Sequence, residues 1–322
     1  MAQKSKSPGR ATLLWPLLLL LLGALALAAL YYLGATRPLQ SRELSALPPE
    51  GKPLSLRGER EVYTAPEEDA ADAPQPSPEE DRSYGEVLVQ EEGMTVYRVQ
   101  GKRYTGVLAV IDDPRRLYVG TLAGYGMNGL TLEGIMDASG AVLGVNGGGF
   151  QDANGQGNGS VPIGVVMVDG QFRYGGPDGY YDVCAFDGDG RLYVGPRTGA
   201  QLQELGVQHA VCYGPALIID GEMQQPSSLN LEPRTAVGQR EDGSVLLLVV
   251  EGRQVGSLGV SLPELAAIMA SYGAVNATNL DGGASSVMLY DHTMLNRPNG
   301  LAGMRGIPSA VLVRPAGEGA EE

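Results

Sequence analysis

Four aspartate-glycine pairs, Asp169-Gly170, Asp187-Gly188, Asp220-Gly221 and Asp242-Gly243, lie between short apolar runs. They constrain the folded part of the chain more than any other feature. Aspartate tolerates, and glycine favours, the positive backbone angles of a tight hairpin turn, so each pair predicts two antiparallel strands. The apolar runs 95–99, 106–111 and 117–119 are short and rich in β-branched or aromatic residues, as strands are. The 47 glycines suit many tight turns. The pairs do not recur at a fixed period, which argues against a propeller.

One helix is clear. Ser261 and Glu264 form a capping box ahead of Leu262, Leu265, Ala266, Met269 and Tyr272, which share one face. Pro263 falls in the first turn, where its missing N–H is harmless, and Gly273 supplies the stop. A weaker helix covers 131–139. The order strand, capped helix, strand over 245–280 resembles a βαβ crossover. The expected fold is α+β: one large domain, 84–316, of mixed, hairpin-rich β-sheet with few helices.

The ends of the chain differ in kind. Residues 11–36 carry no charge, and 13–33 are apolar over a length that crosses a bilayer. Lys4, Lys6 and Arg10 precede this stretch, so 1–12 is expected in the cytoplasm and the rest outside. A cleaved signal peptide is the rival reading. The length of the run and its ending in Tyr31-Tyr32 favour an uncleaved anchor. Residues 34–83, rich in Pro, Glu, Asp, Ser and Ala, read as a disordered tether. Residues 317–322 read as an acidic tail. Formal net charge is −14, and the folded part remains acidic without these segments. No basic patch invites nucleic acid. Cys184 and Cys212, placed outside the cell, are free to pair or to remain thiols. Oligomeric state is left open.

Four polar clusters end apolar runs. In Asn146-Gly147-Gly148-Gly149-Phe150 the glycines permit close backbone approach to a ligand, and Asn146 offers a donor and an acceptor. The following loop, with Asp152, Asn154 and Asn158, is oxygen-rich and is the candidate calcium site, although it lacks the acid spacing of a known calcium loop. Pro233-Arg234-Thr235 sets an arginine at a strand start, where it grips a phosphate or pairs with Glu232 or Glu241. Glu251-Gly252-Arg253 places a carboxylate and a guanidinium at the end of the apolar run 245–250. In Asn279-Leu280-Asp281-Gly282-Gly283-Ala284-Ser285-Ser286 a buried strand delivers one carboxylate into a Gly/Ser nest suited to anions, or into a turn whose Asp caps its own backbone.

Several chemistries are argued against. His209 and His292, the only histidines, have no spaced ligand partners, against a His-built zinc site. No Gly-x-Ser-x-Gly elbow is present. Neither cysteine has an identifiable base.

These stretches, with Gly214-Pro215-Ala216-Leu217-Ile218 and Asn296-Arg297-Pro298, stand in an order that resembles the phosphodiester glycosidase family over 84–314. The resemblance implies hydrolysis of the bond between a sugar's anomeric carbon and a phosphodiester. It points to exopolysaccharide-related or other cell-envelope glycans or glycolipids as substrates. Ala284 departs from the family's glycine or serine, and Glu251 from its usual aspartate. By residue type, Asp281 and Glu251 are the catalytic candidates. Arg234 is expected to hold phosphate with the Gly282 and Gly283 amides and Ser285 or Ser286. Asn146 and Asn279 are expected to position sugar groups, with Gly147, Gly148, Thr235 and Arg253 lining the site. The rival functions are a non-catalytic glycan-binding module and a metal-dependent phosphodiesterase that cleaves P–O.

Overall fold

The computed structural model describes residues 84–152, 157–299 and 303–317. The predicted anchor 13–33, the tether 34–83 and the tail from 318 lie outside them, as does Asn154. Among the described residues no helix is long and apolar enough to cross a membrane.

The chain runs β1 (Val87–Glu91), β2 (Met94–Gln100), β3 (Thr105–Ile111), β4 (Leu117–Thr121), α1 (Leu132–Ser139), β5 (Leu143–Asn146), β6 (Val166–Val168) and β7 (Gln171–Tyr174). There follow β8 (Tyr180–Asp187), β9 (Leu192–Thr198), α2 (Gly199–Glu204), β10 (Val207–Cys212), β11 (Ala216–Ile219), β12 (Glu222–Met223) and β13 (Arg234–Arg240). The last elements are β14 (Val245–Val250), α3 (Leu262–Ser271), β15 (Ala274–Asn279), β16 (Met288–Tyr290), β17 (Thr293–Met294) and β18 (Ser309–Val313).

Each Asp-Gly pair joins two antiparallel strands: β6–β7, β8–β9, β11–β12 and β13–β14. Asp169-Gly170 and Asp220-Gly221 have positive φ at both residues, the geometry that matches the twist of the flanking strands. The strands form an eight-stranded sheet, β1-β2-β3-β14-β13-β15-β11-β12, and two five-stranded sheets, β7-β6-β10-β8-β9 and β17-β16-β5-β18-β4.

The expectation of a mixed sheet is corrected. Every strand pairing among the described residues is antiparallel, including those around the predicted crossover. β14 and β15 do run parallel, but β13 lies between them and opposes both. The helix therefore steps across one strand rather than joining neighbours. Its capping box forms as expected: Glu264 N donates to Ser261 Oγ at 3.3 Å, and Ser261 N donates to Glu264 Oε2 at 2.8 Å. The α2 helix, also capping-boxed at Thr198 and Gln201, is too short to show a periodic face in the sequence.

One face of each sheet enters a common core, which contains Val107, Val145, Phe186, Leu247 and Val311. The other face of each is covered by one helix. Leu246, Leu248 and Val250 pack with Leu265 and Met269 of α3. Leu312 and Leu289 pack with Ile135 and Met136 of α1, and Val183 and Ala185 with Leu202 of α2. Burial on both faces explains why β14 reads as the unbroken run Val-Leu-Leu-Leu-Val-Val. A fully buried leucine there contributes about 2 kcal/mol of transfer free energy.

The same two-faced arrangement answers the cysteine question. Cys184 lies in the common core, whereas Cys212 packs under α2 on the opposite face of the sheet. Both are buried free thiols. Desolvation raises the pKa of each.

Candidate active site

The three sheets meet at their ends, and the backbone between them is sewn together. Gly147 N donates to Ser309 O at 2.9 Å, and Gly149 N to Cys212 O at 3.0 Å. Gly214 N donates to Asn279 O at 3.1 Å, Leu280 N to Thr235 O at 2.8 Å and Gly283 N to Pro233 O at 2.9 Å. β15 thus runs out at the junction, and Asp281 stands just beyond its last ladder bond.

Asp281 keeps some contact with solvent, but its carboxyl is closely surrounded by protein. Desolvation pushes its pKa up to about 6. The Ser285 hydroxyl, the Arg305 charge and the Gly282 N–H each pull it back, and the Asp152 charge adds to the rise. Ser285 Oγ is sealed from solvent and makes no hydrogen bond of full geometry among the described residues. A carboxyl tuned in this way is mostly ionised at neutral pH and remains able to carry a proton.

Its placement is fixed from behind. Asn146 is 0% exposed. Its Nδ2 donates to Asp281 O at 2.7 Å, and its Oδ1 accepts from Thr235 Oγ1 at 2.7 Å and Val287 N at 3.2 Å. Asn146 and Thr235 therefore hold the backbone of Asp281 from behind. Gly147 and Gly148 are packed against Ser309 and Cys212. A Cβ on Gly148 would lie 2.7 Å from Cys212 O, so the close approach is to the protein's own backbone. Asn279 is 1% exposed, with Nδ2 donating to Gly214 O at 2.8 Å. Its Oδ1 and the Ser286 hydroxyl are buried without partners among the described residues.

The cations are arranged differently from the sequence expectation. Arg234 is buried, donating through Nε to Val260 O at 3.3 Å and through Nη2 to Asn230 O at 3.1 Å. Burial lowers its pKa, and the nearby Glu232 carboxylate opposes that. Glu232 Oε2 lies 3.4 Å from Arg234 Nη2, while Oε1 accepts from half-exposed Arg253 at 3.0 Å. One carboxylate thus bridges two guanidiniums. Arg253 Nη1 lies 3.5 Å from where a Gly283 Cβ would stand, so its charge rests against the Asp281 loop. The Gly282–Gly283 amides are not an open anion nest, because Gly283 N is committed to Pro233 O and Gly282 N faces the Asp281 carboxyl.

Glu251, the second catalytic candidate, is placed apart from Asp281. Its Oε2 accepts from Thr105 Oγ1 at 3.0 Å and its Oε1 from Arg297 N at 2.8 Å, and it lines a cavity to which Asp281 does not contribute. Two residues of the candidate calcium loop have partners within the protein. Asp152 Oδ2 is 2.8 Å from Arg305 Nη2, and its Oδ1 accepts from Gly157 N. Asn158 Nδ2 donates to Asn128 Oδ1 at 2.9 Å. The carboxylate expected to bind a cation is bound to an arginine.

Three side chains near Asp281 or the arginines beside its loop escape the sequence reading as site residues. The Arg305 guanidinium packs 4.6 Å from the Phe150 ring centre while holding Asp152. Glu232 reads in the sequence as a surface partner only. Tyr213 is pushed up in pKa by burial and by the Asp281 charge, with Arg234 opposing, so its phenol is protonated beside the carboxyl. Its ring occupies space that a side chain on Gly149 would enter. The one sequence signal was its position directly before Gly214-Pro215.

A family model described as phosphodiester glycosidase matches residues 139–314. The chain is 29% identical over 196 residues to an uncharacterized SPbeta prophage-derived protein, YomE, of Bacillus subtilis (strain 168), covering 57% of this chain and 29% of that one. It is 36% identical over 83 residues to N-acetylglucosamine-1-phosphodiester alpha-N-acetylglucosaminidase of Bos taurus, 24% of this chain and 16% of that one. The matches thus span less than a third of the length of these curated relatives. The catalytic domain of the zebrafish enzyme of the same name, solved auto-inhibited by its pro-peptide, has the same fold. The TM-score is 0.59 at 18% identity, over 72% of this chain and 87% of that one.

Proposed function

This chain belongs to the phosphodiester glycosidase family, and on that premise we propose that it hydrolyses the bond between a sugar's anomeric carbon and a phosphodiester. Water supplies the oxygen that ends on the sugar. The anomeric C–O bond breaks, and the phosphate leaves as a monoester that keeps its second ester bond. Phosphate is a good leaving group, so the main demand is to stabilise positive charge at the anomeric carbon and activate the water. Asp281 meets that demand as a carboxylate. Arg253, presented by Glu232 beside Gly283, takes the charge of the departing phosphate, and Arg234 supports it through the same Glu232. The Tyr213 phenol donates to an oxygen in the pocket.

The observation that carries this reading is the Asp281 carboxyl at the three-sheet junction, with the Arg305 charge acting on it and the Arg253 guanidinium beside Gly283 of its loop. The apolar stretch 13–33 behind Lys4, Lys6 and Arg10 supports a membrane anchor with the catalytic domain outside the cell. Phosphorylated glycans or glycolipids of the cell envelope, including exopolysaccharide intermediates, are then the substrates within reach. N-acetylglucosamine, named in the bovine relative, is the first sugar to try.

The test is turnover of sugar-1-phosphodiesters in oxygen-18 water. Label in the released sugar marks C–O cleavage and is the expected result. Label in the phosphate would make the protein a phosphodiesterase, and binding without release would make it a glycan-binding module.

A further inference from the structure

A cavity of about 490 Å³ opens at the end of β14, and none of the residues given a role in the chemistry above lines it. Its walls include Arg98, Thr105, Glu251, Gln254, Met294 and Arg297. Glu251 is 8% exposed, and both its carboxylate bonds come from neutral donors, Thr105 Oγ1 and Arg297 N. No ion pair neutralises it among the described residues. Each oxygen retains a free lone-pair direction. Gln254 donates to Arg297 O at 2.7 Å, which leaves its carbonyl oxygen to accept. The exposed Arg297 guanidinium has no ion-pair partner among the described residues, and Arg98 has only a surface contact at 3.5 Å to Glu86.

This set of groups is selective. Acceptors from Glu251 and Gln254 suit the hydroxyls of a sugar, and Met294 suits its C–H face. The Arg297 guanidinium, unpaired among the described residues, and Arg98, which is held only by exposed Glu86, can turn to an anionic substituent. The volume falls in the range of small-ligand sites, about 300–1,000 Å³. The cavity is also tied to the Asp281 loop. Arg253, which rests on Gly283, immediately precedes Gln254 in the wall, and Asn296, another wall residue, donates to Ser286 O at 3.1 Å.

We propose that this cavity is the subsite for the alcohol half of the phosphodiester, and that this half is a carbohydrate carrying its own negative charge. The assignment to that half rests on the hydrolytic reading above; the preference for an anionic sugar does not. In the full chain, glucuronate and glucose 6-phosphate should bind at least tenfold more tightly than glucose by calorimetry. Arg98→Gln combined with Arg297→Gln should remove that preference without moving the thermal midpoint. The same double variant should hydrolyse a methyl glycosyl phosphate within twofold of wild type, yet lose at least tenfold in kcat/KM when the alcohol is a hexuronate. Equal binding of glucose and glucuronate, or a preference that survives the double substitution, overturns the proposal. Arginine-dependent binding in a protein that cleaves no glycosyl phosphate would leave the anionic-sugar site standing and remove the hydrolytic reading instead.

Discussion

Asp281 and His209 are two ionisable side chains held away from water in different surroundings. Asp281 lies beyond the end of β15 with Arg305, Ser285 and the Gly282 amide around its carboxyl. His209 lies within β10, edge-on to Tyr118 at 6.3 Å, with Nε2 3.8 Å from Asp169 Oδ1 and Nδ1 without a partner. Burial drives both toward their neutral forms, Asp281 up to about 6 and His209 down to about 4. For His209 the Asp169 charge opposes the shift and the Arg314 charge adds to it. The same desolvation therefore yields a group that titrates near neutrality at the sheet junction and a silent one inside the sheet. What separates them is the sign of the charged form: desolvation raises a carboxyl from 3.8 toward neutrality and drives an imidazole from 6.5 away from it.

The largest effect expected is on turnover. Asp281→Asn should lower kcat/KM on a glycosyl phosphodiester by at least about 10³-fold, a typical loss for a group that handles charge or protons in the transition state. His209→Gln should stay within about threefold, and a comparable loss there would erase the contrast.

Stability against pH comes next. The folded pKa of Asp281 lies above its ordinary 3.8, so its contribution is full below pH 3.8 and is lost as pH rises through about 6. The folded pKa of His209 lies below 6.5, so its contribution is full above that pH and is lost as pH falls through about 4. Between pH 4 and 6 the two slopes oppose each other, each worth at most about 3 kcal/mol. Denaturant unfolding of the wild type should therefore be nearly flat in this window as far as these two groups decide it. Relative to wild type, Asp281→Asn should gain stability as pH rises to 6, and His209→Gln should gain it as pH falls to 4. Parallel curves would show that neither group is shifted.

Asn146→Ala should cost about 2 kcal/mol of unfolding free energy, because it strands buried Thr235 Oγ1 and Val287 N–H. It should also reduce kcat more than it raises KM, since it moves Asp281 without touching substrate. The smallest effect belongs to Arg305→Ala. Losing that cation should move the acid limb of the activity profile to higher pH by about one unit or less.

Much of the architecture could be read locally. Capping at Ser261 and Glu264, and the Asp-Gly turns, depend on residues within four positions of one another, and they form as the chain suggests. Asp281 also stood out, because an apolar run ending in one carboxylate is unusual. The inward use of Asn146 was not legible. Asparagine beside three glycines looks like a ligand contact until Asp281 and Thr235 arrive from 135 and 89 residues away. Glu232, Arg305 and Tyr213 escaped as site residues for the same reason: each comes from a different segment, and none carries a local pattern. The mixed-sheet expectation failed because strand, helix, strand in sequence does not reveal that β13 lies between the two strands.

The junction has a kinetic consequence. Three of its bonds, Gly147 N to Ser309 O, Gly148 N to Ser309 Oγ and Asn146 Nδ2 to Asp281 O, join residues more than a hundred positions apart, and contacts of that separation form slowly because a long loop must close first. The sheets and their helices rely on nearer partners at many points, but the pocket cannot exist until distant ends have met. Recovery of turnover during refolding should therefore lag behind recovery of secondary structure, making catalysis a reporter of the final assembly step.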